Sequence, residues 1–377
     1  MLLKNIIESA NTGLDAIQRA PIVLEETGLK CLRIQDISQS KDFDRWGNTI
    51  VSEENRKAFS LKKDDIIIAR TGSTIGVNFF VSKNLKSVYN NGLIRLRVDT
   101  SKALPYFVYC YLQTKQYSDF IESISGSSAT QPNMRINDLL ELKIPDKTLT
   151  EQQHIVDTIG SVDDLIEKND KIIELTKRYI HQIYRSFDFN STEKTLQDEF
   201  NISIGRTPPT KEHQWFDNGN YKWLSIKDMK IDGDFCFETS QYLTNEAVKK
   251  FNIPIVNPGD VLLSFKLTVG RIAISNCNMV TNEAIACFKF KDESLRWYLY
   301  CYLNNCNFLN DADNTSSIGQ AINSSIIKKY KFLKPSNEKL TEFNNIVKSL
   351  FNYVKTKREE NIYLLQSKQN LLKKYFG

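Results

Sequence analysis

The segment Cys110-Tyr111-Leu112 returns as Cys301-Tyr302-Leu303, inside the longer matches Val108-Tyr109-Cys110-Tyr111-Leu112 and Leu299-Tyr300-Cys301-Tyr302-Leu303. At nearly the same offset Leu32-Arg33-Ile34-Gln35-Asp36-Ile37 matches Leu224-Ser225-Ile226-Lys227-Asp228-Met229, and Leu149-Thr150-Glu151 matches Leu340-Thr341-Glu342. Further anchors agree within a few residues. Asp65-Ile66-Ile67-Ile68-Ala69 parallels Asp260-Val261-Leu262-Leu263-Ser264, Asn91 parallels Asn282, and Ser127-Ser128 with Gln131 parallels Ser316-Ser317 with Gln320. Solenoid repeats have periods of about 20 to 50 residues, so a unit of half the chain is a whole domain copied once. Each copy must bury a core of its own.

Within a copy, β-rich runs such as Asp65 to Ala69 and Leu93 to Val98 mix with a helix around Tyr106 to Gln113, which predicts a mixed α/β domain. Asn257-Pro258-Gly259-Asp260 marks a turn before the second copy's buried strand. Gly72-Ser73-Thr74-Ile75-Gly76 reads as a tight turn after a strand.

From Ile155 the sequence steps through Ile155, Ile159, Val162, Ile166, Asn169, Ile173, Thr176, Ile180 and Ile183 by alternating fours and threes, a heptad pattern. Thr150 is expected to cap this helix, with Gln153 reaching back. A helix of about 33 residues would be ~50 Å long. An offset of 192 lands on Val347, Phe351, Val354, Arg358, Asn361, Leu365, Lys368, Leu372 and Tyr375; an offset of 191 gives Ile346, Leu350, Tyr353, Leu364 and Leu371. Both registers stay open. Residues 151–188 carry eight acidic and five basic side chains, whereas 337–377 carry eight basic and four acidic ones. The two helices are therefore expected to pair as an antiparallel coiled coil, in which Asn169 and Asn361 either fix the register from within the seam or, as lone polar positions, face solvent. The predicted layout is a first α/β domain over 1–149, a first helix over 150–188, a second α/β domain over 189–337 and a second helix over 338–377.

The familiar chemistries are missing. No run approaches eighteen uninterrupted apolar residues, and the start is charged too early for a signal peptide, so a cytoplasmic location is expected. The seven cysteines form no C-x-x-C pair, and His154, His181 and His213 have no i, i+4 partner, so no bound metal is expected. There is no phosphate loop, no Asn-Pro-Pro-aromatic run, no G-x-S-x-G and no H-E-x-x-H. The pairs Asp163-Asp164 and Glu359-Glu360 fall on the proposed helices, where solvated faces account for them. No catalytic residue is found. Two other readings remain: a coiled-coil scaffold that does not touch DNA, and a DNA methyltransferase or nuclease with an unrecognised active site.

Two divergent α/β domains, each beginning with a Leu-x-Ile-x-Asp-[Ile/Met] strand and ending in a Thr-Glu-Gln-Gln-type helix start, resemble the specificity subunits of type I restriction-modification systems. In the second copy Gly205-Arg206-Thr207-Pro208 resembles that family's Gly-x-Thr-Pro opening and Gly259 to Ser264 its Gly-Asp strand. The first copy has Asn11-Thr12-Gly13-Leu14 at the opening, then Asp65 to Gly76, Gln131-Pro132-Asn133-Met134 and Leu142 to Asp146. The resemblance covers essentially the whole chain. It implies that each domain reads one half of a split double-stranded DNA site. The helices would be a spacer and the docking surface for two modification (methyltransferase) subunits, which bring S-adenosylmethionine. Restriction (helicase-nuclease) subunits would add to the same core, and this chain would itself be non-catalytic. Specificity then rests on a few side chains at base edges. The candidates are Arg33, Gln35, Arg70, Ser73, Thr74 and Gln131 in the first domain, with Ser225, Lys227, Lys266, Thr268, Arg271 and Gln320 as counterparts. Arg70 is suited to a bidentate contact with guanine or to a phosphate.

Overall fold

A computed structural model describes residues 1–39, 43–125, 133–229, 233–266, 268–308 and 323–377. The chain divides into two compact units, Met1–Ile166 with Tyr363–Gly377, and Glu167–Ile362. The units are not contiguous in sequence. Each takes one domain together with part of both long helices, so the last residues of the chain belong with the first domain rather than to a separate helical segment.

In the first unit an antiparallel sheet runs in the order Ile7–Thr12, Leu93–Val98, Ile66–Ala69, Asn78–Phe80. Alternation along its strands sends Ile66, Ile68, Ile94 and Leu96 toward Phe107, Val108 and Ile121 of the helices Pro105–Tyr111 and Lys115–Ser125. The opposite face sends Ile67, Ala69 and Leu93 toward Leu32, Trp46 and Tyr89. These last residues belong to, or pack beside, a second sheet ordered Ile22–Val23, Gly47–Thr49, Lys30–Leu32, Ser87–Tyr89. A strand covered on both faces needs apolar residues throughout, which is why Ile66–Ala69 reads as an unbroken apolar run.

The second unit repeats this plan. A five-stranded sheet runs Phe200–Ile204, Ile285–Phe290, Val261–Ser264, Ile272–Ser275, Phe235–Cys236, and a four-stranded one runs Gln241–Leu243, Tyr221–Leu224, Met279–Thr281, Ile255–Val256. Val261, Leu263 and Phe288 face the helix Arg296–Asn304, while Leu262 and Cys287 face Leu224 and Met279. Asp65 and Asp260 show how closely the copies agree: each carboxylate accepts from the N–H three residues earlier, Lys62 or Asn257, at 2.8 Å.

The long helices are Leu149–Ser186 and Asn337–Phe376, 38 and 40 residues. The first begins earlier than expected. The Thr148 hydroxyl accepts from the N–H of Glu151 at 3.3 Å, and the Glu151 carboxylate accepts from the N–H of Thr148 at 2.8 Å. The capping box is thus Thr148 with Glu151, not Thr150 with Gln153. Ser336 starts the second helix, its hydroxyl accepting from the Lys339 N–H at 3.3 Å.

Within each unit the two helical segments run antiparallel. In the first, Ile155 and Ile159 are buried in one cluster with Leu372 and Phe376, and Asp163 accepts from Lys368 at 2.7 Å. In the second, Ile180 packs with Val347 and Phe351, and Asp170 accepts from Arg358 at 2.8 Å. Ile173 and Val354 are buried, and Val162, Ile166 and Ile183 are half-buried. The seam follows the 192 offset as far as Leu372, after which Phe376 is buried in place of Tyr375. Leu365 also departs from the offset: it is 51% exposed, whereas Lys368, one step on, is 8% exposed. The two helix turns around these positions present a lysine to the seam because Asp163 is there to receive it.

Candidate nucleic-acid interface

In each copy four chain segments converge beyond one end of the sheets. In the first, the Asn90 N–H donates to Leu32 C=O at 3.1 Å and the Arg70 N–H to Gly92 C=O at 2.9 Å, so the turn 90–92 ties the segment after Lys30–Leu32 to the segment after Ile66–Ala69. The fourth segment enters at Gly13, where the next N–H, that of Leu14, donates to Tyr89 C=O at 2.9 Å. A Cβ on Gly13 would lie 2.3 Å from the carbonyl oxygens of Tyr89 and Asn90, so only glycine fits.

The second copy reproduces these bonds. Asn282 donates to Leu224 C=O at 3.0 Å and Phe265 to Ala284 C=O at 2.9 Å, while a Cβ on Gly205 would lie 2.1 Å from the Thr281 oxygen. Gly13 therefore occupies the place of Gly205 even though the Thr-Pro that follows the latter is absent from the first copy. The same bonds correct the matching of positions: Asn90, not Asn91, corresponds to Asn282, and Phe265, not Lys266, corresponds to Arg70.

Arg33 stands at the N-cap of the short helix Ile34–Ser38, its N–H donating to the Asp36 carboxylate at 3.0 Å and its Nε 3.6 Å from it. Gln35 projects from that helix into solvent. The half-buried Arg70 donates from Nε to Asn133 Oδ1 at 3.1 Å, and Ser73 and Thr74 form a 3-10 turn, Gly72–Thr74, with Ser73 exposed. These five side chains are brought to one end of the first domain by the 90–92 turn and its bonds. Gln131 and Gln320 lie outside the described residues.

In the second domain Lys227 and Thr268 are exposed and Lys266 is half-buried. Ser225 is committed locally, its hydroxyl donating to Asp228 at 2.7 Å. Arg271 belongs to the frame. Its Nη1 donates to the carbonyls of Ile226 at 2.8 Å and Met229 at 2.6 Å, and its backbone C=O accepts from Ser264 at 2.9 Å. Val77 makes the corresponding backbone bond, to Ala69 at 2.8 Å, so Arg271 is the counterpart of Val77 rather than of Thr74.

Sequence reasoning passed over Asp15, whose carboxylate accepts from the N–H groups of Ile17 and Gln18 at 2.9 and 2.8 Å. These backbone bonds hold Asp15 below the usual carboxylate range. The turn it closes displays Ile17, 83% exposed, three residues after Leu14, whose C=O accepts from Asn91 at 2.7 Å. In the second copy the place of that turn is taken by Arg206, donating to Phe251 C=O at 2.7 Å, and Thr207, donating to Glu283, around a cleft of about 690 Å³ that also includes Lys250.

The converging side chains are hydrogen-bond donors and acceptors of the kinds that read base edges and phosphates. Burial pushes the thiols of Cys31 and Cys110 up to about 12, away from the reactive thiolate. Among the described residues no group of three His, Cys, Asp or Glu side chains could hold a metal ion, and no helix is long and apolar enough to cross a membrane.

The two copies thus share one α/β frame and place matching loops at the same end of it. The family described as Type I restriction modification DNA specificity domain matches the chain twice, over residues 29–177 and 190–374, and the chain belongs to it. It is 23% identical to the type I restriction enzyme MjaIX specificity subunit of Methanocaldococcus jannaschii, over 71% of this chain and 67% of that one. It is 21% identical to the HindI specificity subunit of Haemophilus influenzae, over 83% and 86%. The crystal structure of a type I restriction-modification S subunit from M. genitalium shares the fold, with a TM-score of 0.54 and 16% identity over 100% of this chain and 95% of that one.

Proposed function

We propose that this chain is the sequence-reading subunit of a type I restriction-modification complex, each domain recognising one half of a split double-stranded DNA site. The observation that carries this reading is the repeated loop end: the same backbone bond, Asn90 to Leu32 in one copy and Asn282 to Leu224 in the other, sets a loop that exposes Gln35 in the first and Lys227 in the second, so one frame presents two different sets of side chains. A frame held constant while its contact positions diverge suits two different half-sites. The chain supplies no chemistry of its own. Methyl transfer belongs to two modification subunits that carry S-adenosylmethionine, and restriction subunits of the helicase-nuclease type join the same complex.

Docking falls to the outer faces of the long helices. In the first unit Leu165, Tyr363 and Leu365 are 45%, 69% and 51% exposed; in the second Leu175, Tyr179, Ile346 and Tyr353 range from 45% to 55%. Apolar side chains at this density on a helix surface fit a protein partner. The test uses the chain with and without its methyltransferase, labelled S-adenosylmethionine and genomic DNA. The complex is expected to methylate an interrupted sequence and the chain alone to transfer nothing. Transfer by the chain alone would overturn the non-catalytic assignment.

A further inference from the structure

Three chain segments of the second unit meet at one carboxylate. Asp234, 5% exposed, precedes the edge strand Phe235–Cys236, and its C=O accepts from Ile274 at 2.6 Å, which ties it to the five-stranded sheet. Arg358 of the second long helix donates to both carboxylate oxygens, from Nε at 3.0 and 3.1 Å and from Nη2 at 2.8 Å. Lys177 of the first long helix stands 3.5 Å from the same carboxylate and donates to Gly233 C=O at 3.1 Å. The Tyr300 hydroxyl reaches that carbonyl too, at 2.6 Å.

A buried ion pair is a weak source of stability, because desolvation offsets much of the attraction; apolar side chains of similar size would hold the surfaces together as well. What a guanidinium bound to both oxygens adds is direction, since the two planar groups accept only a narrow range of angles. Arg358 also occupies a seam position of the heptad pattern, where an apolar residue is expected. The first unit makes its own junction with other residues. There the carboxylate, Asp163, sits on the helix and accepts from Tyr106 of the domain and from Lys368. Two junctions of the same kind, built from non-equivalent residues, point to a shared requirement rather than to a feature copied with the domain.

We propose that Asp234 is a positioning residue: by clamping its domain to Lys177 and Arg358 it fixes the angle of that domain on the helices, and so selects the gap allowed between the two half-sites. This rests on the split-site reading above. Changing the gap by one base pair displaces a half-site by about 3.4 Å along the duplex. A rigidly held domain discriminates against this, and a loosened one tolerates it.

The test is methylome sequencing of cells carrying the complete complex with wild-type chain, Asp234→Asn, Asp234→Glu or Lys177→Gln. Both half-site sequences should stay unchanged in every variant. The preference for the native gap over gaps one base pair longer or shorter should fall about tenfold in Asp234→Asn, the size of a typical mismatch. Asp234→Glu should recover part of it. If Asp234→Asn does not fold, Lys177→Gln decides, with the same loss expected at smaller amplitude and folding checked by thermal melting. A folded variant that keeps the native preference would overturn the positioning role. An uninterrupted wild-type methylation sequence would instead overturn the split-site reading, and this proposal with it.

Discussion

Asn169 donates from Nδ2 to Oδ1 of Asn361 at 2.9 Å, and the two residues are counterparts, 192 positions apart, in the two copies of the repeat. Both are buried, and Asn361 in turn donates to Asp170 at 3.1 Å. A polar pair inside an apolar seam fixes how the helices slide past each other, at some expense in stability.

Asn169→Leu alone strands the Asn361 oxygen in an apolar seam and should cost about 1–3 kcal/mol in denaturant unfolding. Replacing both residues by leucine should recover most of that loss. A double variant less stable than the single one would show that the pair contributes more than register.

Arg271 and Arg70 should behave differently, although the sequence offers both as DNA contacts. Arg271→Met removes the donor for two carbonyls and should lower the melting temperature while leaving the methylated sequence intact. Arg70→Ala should weaken methylation through the first half-site with little change in melting. Melting curves and methylomes of the two variants separate these outcomes; an altered second half-site in folded Arg271→Met would return that residue to the contact set.

His181, stacked on Tyr300 on the first long helix, is held neutral by burial and then by the charges of Lys177 and Arg185, which bring its pKa from 6.5 down to about 4. Between those values the unfolded chain binds a proton that the folded chain refuses. Stability from this residue is therefore complete above about pH 6.5 and declines as pH falls toward about 4. Asp234, whose cations outweigh burial and hold it below its ordinary value of 3.8, stays ionised across that window. Unfolding measured from pH 7.5 to 5 should show the decline in wild type and a flatter curve in His181→Gln. Equal slopes would remove His181 as the cause.

The apolar side chains on the outer helix faces predict that the chain expressed alone self-associates and that coexpression with its methyltransferase restores a defined complex. Size-exclusion chromatography with light scattering checks this. A stable monomer at high concentration would contradict a dependence on docking.

The duplication, the mixed α/β copies and the heptads were legible because each leaves a periodic or repeated trace in sequence. What escaped depended on partners far along the chain. Lys368 reads as an interruption of the seam until Asp163 is placed opposite it, and Leu365, which fits the apolar pattern, faces outward. Arg271 reads as a DNA contact because the carbonyls of Ile226 and Met229 that occupy it are backbone atoms, without any side-chain signature. Asn90 and Asn91 are chemically identical neighbours; only the bond from Asn90 to Leu32, repeated by Asn282 to Leu224, tells them apart. Gly13 could be matched to Gly205 once both were seen pressed against carbonyl oxygens.

Whether the two copies read DNA separately is decided by methylome sequencing after residues 1–149 are replaced by the first domain of a relative. Because Leu372 and Phe376 pack into the first domain's core, the replacement must keep the residues that meet them, among them Phe107 and Tyr111. The expected outcome is a methylated sequence with one half changed, the other half intact and the gap unaltered. A simultaneous change in both halves, from a complex shown to be folded and active, would contradict it.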